Sequence, residues 1–391
     1  MNFTRVNELV QDHLFKTFPA AQIEILFRGE RVFSESFGYL DPDTKLRTTQ
    51  SSSRFDLASV SKLFTVAAFM RCVEEQRVAI DQPVHEILPE FSGARPIAPY
   101  PDPLHPGGFI NVVDPNGLRV DASAVTFRHL LAHNAGLPAW LPLWKLTTRA
   151  EMRAAVLETK FAYPIGARVV YSDIGLILLG FALEKICNDS LRAIVRARVT
   201  EPLGLESVAY GKIENDNVAP TEFYARHARR MCGEVHDENA FALGGAAGHA
   251  GLFGIARDVA QFGEMFRRGR MFSLTDDREI QNEDLRSENM RKEEFLSRET
   301  IDEMTREQSR DGNVRRGLGF ALWSPAPDAA SNPLSEKTFG HLGFTGTSLW
   351  IDPARELVIA CLANRVYYGR ENADAMGAFR VALNRAIVEI I

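Results

Sequence analysis

Strand-forming sequence lies at both ends of this chain, and helical sequence fills the middle. Near the N-terminus, Gln22-Ile23-Glu24-Ile25-Leu26-Phe27 and Arg31-Val32-Phe33-Ser34-Glu35-Ser36-Phe37-Gly38-Tyr39 flank a turn at Arg28-Gly29-Glu30. That pattern predicts a β-hairpin. Near the C-terminus, residues 317–323, 347–351 and 357–362 read as further strands. Phe3, Val6, Leu9, Val10 and Leu14 recur at helical spacing, and a second amphipathic helix is expected over about 372–391. Distant strands must pair to satisfy their backbone groups. The expectation is an α+β chain, with one antiparallel sheet closed by the two termini and flanked by N- and C-terminal helices. A single domain spans 1–391 on this reading. Its sheet subdomain covers about 1–80 and 312–391, and its mainly helical subdomain about 81–311. A ligand cleft then belongs at the seam.

The 391 residues are 45% hydrophobic and 25% charged, enough for a large core. A net charge of −6 argues against a nucleic-acid partner. No apolar run approaches the roughly 20 residues that span a bilayer. The N-terminus has no apolar h-region of a signal peptide. A cytoplasmic protein without a membrane span is expected, and its oligomeric state is not legible. Cys72, Cys187, Cys232 and Cys361 are scattered, without a C-x-x-C, and read as reduced core residues. Residues 91–120 are rich in proline and glycine and too long for an ordinary connection, so they form either a functional flap or a mobile loop. The acid-rich stretch 276–310 reads as a solvated linker plus a surface helix.

Three segments carry chemistry. Ser59-Val60-Ser61-Lys62 runs into the apolar Leu63-Phe64-Thr65-Val66-Ala67-Ala68-Phe69 and reads as the first turn of a buried helix. Residues three apart on a helix share a face. An alcohol needs a base to become a nucleophile, and a buried lysine that has lost its proton can act as one. Tyr171-Ser172-Asp173 opens the apolar helix that begins Ile174-Gly175-Leu176. A tyrosine beside an ammonium is expected to be partly phenolate, able to pass a proton between serine and leaving group. Gly340-His341-Leu342-Gly343-Phe344-Thr345-Gly346-Thr347 enters a late strand, where glycine lets backbone approach a ligand. His236, Asp237 and His249 could be imagined as metal ligands, but their spacing fits no standard zinc pattern. They read as loop-bracing or cleft-lining groups, and no metal or cofactor is expected. His129 and His133, four apart, read as a packed helix face behind a Thr126 N-cap. No G-x-S-x-G elbow is present.

Together, Ser59-x-x-Lys62, Tyr171-Ser172-Asp173 and His341-Leu342-Gly343 resemble the motifs of the penicillin-recognising serine hydrolases. Within them, the chain is similar to the branch of class C β-lactamases, DD-peptidases and related esterases and amidases. Residues 126–137, Glu201-Pro202-Leu203-Gly204-Leu205 and Gly317-Leu318-Gly319-Phe320 are also similar to segments of that branch. The resemblance implies that Ser59 is the nucleophile of an acyl-enzyme and that Lys62 and Tyr171 share the acid–base work, with the first base left open. It implies an oxyanion hole from the N–H groups of Ser59 and Phe344. It also implies an electropositive corner at His341 and substrate contacts at Asp173, Leu342 and Gly343. Two departures stand out. Asp173 replaces the usual asparagine, so the site either favours a substrate N–H or ammonium, or pairs Asp173 with Lys62. His341 replaces the lysine usual in β-lactamases. Both favour a peptidase, amidase or esterase over an efficient β-lactamase. The expected activity is acyl-enzyme hydrolysis of a small-molecule or peptide amide or ester related to cell-wall peptides. A carboxylesterase with weak β-lactamase activity and a non-turnover penicillin-binding sensor are the alternatives.

Overall fold

The structure, a computed structural model, describes residues 1–105, 107–112, 117–214, 217–268 and 295–391. The first hairpin seeds its sheet. Arg28 and Gly29 take positive φ values of 54° and 85°, the geometry of a two-residue turn whose twist matches its flanking strands. The turn joins β1 (Ala20–Phe27) to β2 (Glu30–Gly38). The remaining strands of this sheet come from the C-terminal part: β3 (Ser309–Asp311), β4 (Val314–Arg316), β5 (Ala321–Leu322), β6 (Phe339–Leu342), β7 (Ser348–Asp352) and β8 (Leu357–Ala363). Their order is β3-β4-β5-β6-β7-β8-β1-β2, antiparallel throughout. β1 pairs with β8 from Ala21↔Ala363 to Phe27↔Leu357, so the two ends of the chain meet inside the sheet.

Successive side chains of a strand point to opposite faces. In β8, Ile359, Cys361 and Ala363 pack on one face with Val6, Val10, Met376, Phe379 and Leu383. These come from α1 (Thr4–His13) and the C-terminal helix Ala373–Val388. Val358, Ala360 and Leu362 pack on the other face with Val259, Phe262 and Phe266 of the helix Ala256–Arg268. Being covered on both faces, β8 reads as an unbroken apolar run rather than an alternating one. The Ala256–Arg268 helix thus packs on the sheet, although its sequence position lies among the helical segments.

α2 (Ser61–Glu74) is buried almost all round, as expected for a helix apolar on every side. It packs with α3 (Phe127–Leu131), α4 (Arg149–Leu157) and α5 (Asp173–Cys187) in the larger core. Three expectations change. Only Ala321–Leu322 of residues 317–323 is strand. Gly317 N–H donates to the Phe320 carbonyl, and a Cβ on Gly319 would meet Val66, so a tight turn packs on α2 there. α3 ends at Leu131, so His129 and His133 do not form one helix face: His129 completes the Thr126 capping box, and His133 lies beyond the helix with φ 55°. The cysteines are not all core residues, because Cys232 is exposed, while Cys72 and Cys187 meet with sulfurs 3.7 Å apart.

Within 91–120, Ala94–Pro96 pairs with Arg119–Asp121, and Tyr100–Pro101 with Phe109–Ile110. Pro103 and Leu104, between the strands of the second pair, line the cleft described below. Most of the acid-rich stretch lies outside the described residues. Its end forms the helix Arg298–Thr305, with Ile301 and Met304 buried. Among the described residues, no helix is long and apolar enough to cross a membrane.

Candidate active site

Ser59 is presented by a strained bend. The buried Asp56 carboxylate accepts the N–H of Ala58 through one oxygen (2.8 Å) and that of His236 through the other (2.7 Å). Ala58 is held at φ 46°, a left-handed conformation that costs of order 1–3 kcal/mol for a residue with a Cβ. Ser59 follows in a 3₁₀ turn, Ala58–Val60, just ahead of α2 rather than within its first turn. One turn on, Lys62 is fully buried. Its Nζ donates to Ser59 Oγ at 2.8 Å and to the His249 carbonyl at 3.1 Å, and it ion-pairs with Asp173 Oδ1 at 2.7 Å. Burial alone would push the Lys62 pKa down. The neighbouring Asp173 carboxylate opposes it, and the pKa is held above its ordinary value. The lysine is therefore an ammonium, not the free amine expected from sequence, and the pairing of Asp173 with Lys62 is the alternative realised.

Tyr171 is placed by the start of α5. Ser172 caps that helix, accepting the N–H of Gly175 (3.1 Å) and donating to the Pro138 carbonyl (2.7 Å). The Lys62 ammonium lies 4.7 Å from the Tyr171 ring centroid. Burial raises the pKa of the phenol, and the opposing pull of Lys62 and Ser59 does not overcome it. The partly ionised tyrosine of the sequence reading is thus corrected to a neutral phenol. Its buried oxygen completes no hydrogen bond among the described residues.

Two histidine rings flank Tyr171, with centroids 4.9 Å (His133) and 5.7 Å (His341) from its own. Their hydrogen bonds set their tautomers. His133 Nδ1 lies 3.1 Å from the Ser172 N–H and must accept, so its proton sits on Nε2. His341 Nδ1 lies 2.7 Å from the Leu342 carbonyl and must donate, so its Nε2 is a bare acceptor. Burial, followed by nearby cations, drives both pKa values well below the ordinary one. The His341 imidazole is therefore neutral, and the positive charge near it is that of Lys62, Arg316 and Arg380.

The Gly343–Thr347 loop is fastened to the Ser59 segment. Thr345 Oγ1 donates to the Asp56 carbonyl (2.7 Å) and Thr347 Oγ1 to that of Leu57 (2.8 Å). A Cβ on Gly343 would sit 1.9 Å from Thr347 Oγ1 and 2.7 Å from the Leu57 oxygen, so only glycine allows this approach. The Arg380 guanidinium donates to the carbonyls of Gly343 and Thr347. The N–H of Phe344 makes no backbone hydrogen bond among the described residues.

Ser59, Tyr171, Asp173, His341, Leu342, Gly343 and Phe344 line one cleft of about 510 Å³, with Lys62 directly beneath Ser59. Asp237, His236 and Arg316 share its wall. Asp237 Oδ1 pairs with His249 Nε2 at 2.8 Å, and although burial would raise its pKa, His249 holds it low. Ligand-type atoms of Asp173, Asp237 and His249 lie within 4.8 Å of one another. The Lys62 ammonium already stands against Asp173, so these residues read as an ion-pair cluster. His133 and Arg316 are the site neighbours that sequence reading missed. His133 lies within the family-like segment 126–137, but its contact with Ser172 and that of Arg316 with Tyr171 join positions remote in sequence.

The sequence matches the Beta-lactamase family over residues 6–383. The N-acetylmuramyl-L-alanine amidase of Bacillus subtilis (strain 168) is 26% identical over 402 residues, covering 92% of this chain and 80% of that protein. A Salmonella agona (strain SL483) protein provisionally named D-alanyl-D-alanine carboxypeptidase is 25% identical over 400 residues, covering 92% and 82%. Among solved structures, EstCE1, a hydrolase with promiscuous acyltransferase activity, superposes with a TM-score of 0.72 at 21% identity, covering 98% of this chain and 97% of that one. The octameric penicillin-binding protein homologue from Pyrococcus abyssi gives 0.68 at 22%, covering 97% and 76%. The fold, the cleft motifs and the near full-length match agree, and the chain belongs to the beta-lactamase family, a family of hydrolases.

Proposed function

We propose that the protein is a serine hydrolase that cleaves an amide or ester of a cell-wall-related peptide through an acyl-enzyme on Ser59. The observation that carries this reading is the line of contacts under the cleft: Ser59 Oγ to Lys62 Nζ at 2.8 Å and Lys62 Nζ to Asp173 Oδ1 at 2.7 Å. Lys62 first gives a proton to Asp173, and the amine so formed takes the proton of Ser59 as the serine Oγ attacks the carbonyl carbon. The ammonium thus relays the proton and the carboxylate receives it. The N–H groups of Ser59 and Phe344 take the charge that develops on the carbonyl oxygen. Such a donor is worth about 2.7–4 kcal/mol in the transition state.

Tyr171 acts next. Its neutral phenol gives a proton to the leaving nitrogen or oxygen as the scissile bond breaks. The proton held by Asp173 then returns through Lys62 to the phenolate, so the protein ends acylated with its protons restored. Water repeats the sequence in the second half-reaction, and Ser59 departs protonated. The substrate class follows from the names of the two curated relatives, both of which concern peptidoglycan amides. Hydrolysis of a muramyl-L-alanine peptide, a D-Ala-D-Ala peptide and p-nitrophenyl butyrate tests it, with Ser59→Ala as the blank. The expected result is a higher kcat/KM on one of the two cell-wall amides than on the aryl ester. Turnover confined to the aryl ester would replace this reading with a carboxylesterase.

A further inference from the structure

α2 and α5 carry the two halves of the site at or just ahead of their first residues: Ser59 and Lys62 on one, Tyr171 and Asp173 on the other. At their far ends the same two helices bring two thiols together. Cys72 lies ten residues beyond Lys62, about 15 Å along α2. Cys187 closes α5, fourteen residues beyond Asp173 and about 21 Å along that helix. Their sulfurs are 3.7 Å apart, although 115 residues separate them in sequence. A disulfide bond is about 2.05 Å long, so the gap left to close is roughly 1.7 Å.

The two sulfurs are not equivalent. Cys72 is fully buried, and Cys187 is half-buried at the helix end. The Arg77 guanidinium donates to Cys187 Sγ at 3.6 Å. Burial, followed by the neighbouring Cys187, pushes the Cys72 thiol up. A reagent in solvent therefore meets Cys187 first, and the guanidinium beside it can hold the negative charge of an attacking sulfur. Among the described residues, the pair belongs to no cluster of three or more metal-ligating side chains. A structural zinc site takes four ligands, so the arrangement suits a reaction between the thiols instead.

We propose that Cys72 and Cys187 form a redox-reversible disulfide, a modification site that staples α2 to α5 behind the cleft. Its oxidant is a low-molecular-weight disulfide. Cys187 gives its proton to water, and its thiolate attacks one sulfur of the oxidant. The external S–S bond breaks, and the departing thiolate takes up a proton. Cys72, its own proton passing to water, then attacks Cys187 Sγ in the mixed disulfide and releases the second external thiol. The two protein thiols lose two electrons, and one external disulfide becomes two thiols. The bridge closes a long loop, which restricts the unfolded chain more than the folded one. The oxidised fold therefore resists denaturant better than the reduced fold. The dithiol stands apart from the cleft, and this chemistry holds whichever reaction Ser59 serves.

The test treats the full chain carrying Cys232→Ser, which removes the exposed thiol, with oxidised glutathione. The expected product is lighter by two hydrogen atoms and yields a linked Cys72–Cys187 peptide on non-reducing digestion. Its urea midpoint, followed by circular dichroism, should shift upward from that of the reduced protein, and dithiothreitol should reverse both changes. Cys72→Ala should stop at a stable glutathione adduct on Cys187. Cys187→Ser, a change at a half-buried helix end, should leave Cys72 unmodified and its urea midpoint unmoved by oxidised glutathione. Thiols that stay unreacted in the folded protein, a glutathione adduct that persists with Cys72 present, or an oxidised midpoint no higher than the reduced one would overturn the staple.

Discussion

The two walls of the cleft are built differently. On the Lys62 side, charge is answered by charge: Lys62 with Asp173, and Asp237 with His249. On the Tyr171 side, buried polar atoms stand without partners among the described residues: the Tyr171 hydroxyl, Nε2 of His133 and of His341, and Nε of Arg316. On the Lys62 side, Asp173 Oδ1 meets Lys62 as an ion pair without a hydrogen bond of good geometry, and His249 Nδ1 has no partner among those residues. Native proteins leave few such atoms, and those they leave call for an explanation. The paired wall holds the protons in a defined arrangement before substrate arrives. The unpaired wall has donors and acceptors to spare, which a bound substrate can satisfy. Proton storage and substrate recognition are thus separated across a few ångströms.

Replacing residues on each wall breaks this comparison in distinguishable ways. The largest effect belongs to Ser59→Ala, which should remove turnover by roughly 10⁶, the scale found when a catalytic nucleophile is deleted, with the circular dichroism spectrum unchanged. Tyr171→Phe on the unpaired wall should cost about 10²–10⁴ on an amide, which needs a proton for its leaving nitrogen. It should cost far less on a p-nitrophenyl ester, whose leaving group needs none. Equal losses on both substrates would place Tyr171 outside leaving-group protonation. Asp173→Asn on the paired wall should cost about 10² at neutral pH, because an amide cannot receive the relayed proton. It also removes the carboxylate that touches Lys62, which lowers the lysine's pKa. Activity of Asp173→Asn should therefore recover as pH rises, a dependence absent from the wild type. A variant as active as the wild type at pH 7 would refute the relay.

The smallest effect concerns stability. His133 and His341 are neutral in the folded chain, with pKa values depressed well below 6.5. Above pH 6.5 neither state binds a proton at these positions, so they add no pH dependence. Below it, the unfolded chain takes up protons that the folded chain refuses, and stability falls by about 1.4 kcal/mol per pH unit for each histidine. Urea midpoints at pH 7 and pH 5 measure this slope. His133→Gln keeps an acceptor for the Ser172 N–H and should flatten it.

What could be read from sequence was what lies close along the chain. The Ser59–Lys62 spacing, the Tyr171 helix start and the glycine-flanked His341 are local patterns, and the end-to-end sheet follows from two groups of strands that need partners. Charge states were not legible, because they depend on depth of burial. His341 and Tyr171 were expected to be partly charged, and burial makes both neutral. Arg316 was passed over because nothing within its own strand distinguishes it from Arg315; only the sheet's register sends one outward and the other into the cleft. Asp173 could have served a substrate or Lys62, and the fold brings it to 2.7 Å from Lys62. The turn at residues 317–320 was missed because its cause, contact with Val66 on α2, is distant in sequence.

In the proposed mechanism Ser59, set against Lys62, is the group that becomes acylated. Intact-mass measurement after treatment with a fluorophosphonate tests it most directly. One adduct per chain, mapped to Ser59 by peptide digestion and absent from Ser59→Ala, is the predicted result. A wild type that stays unlabelled, or a Ser59→Ala protein labelled equally well, would contradict it.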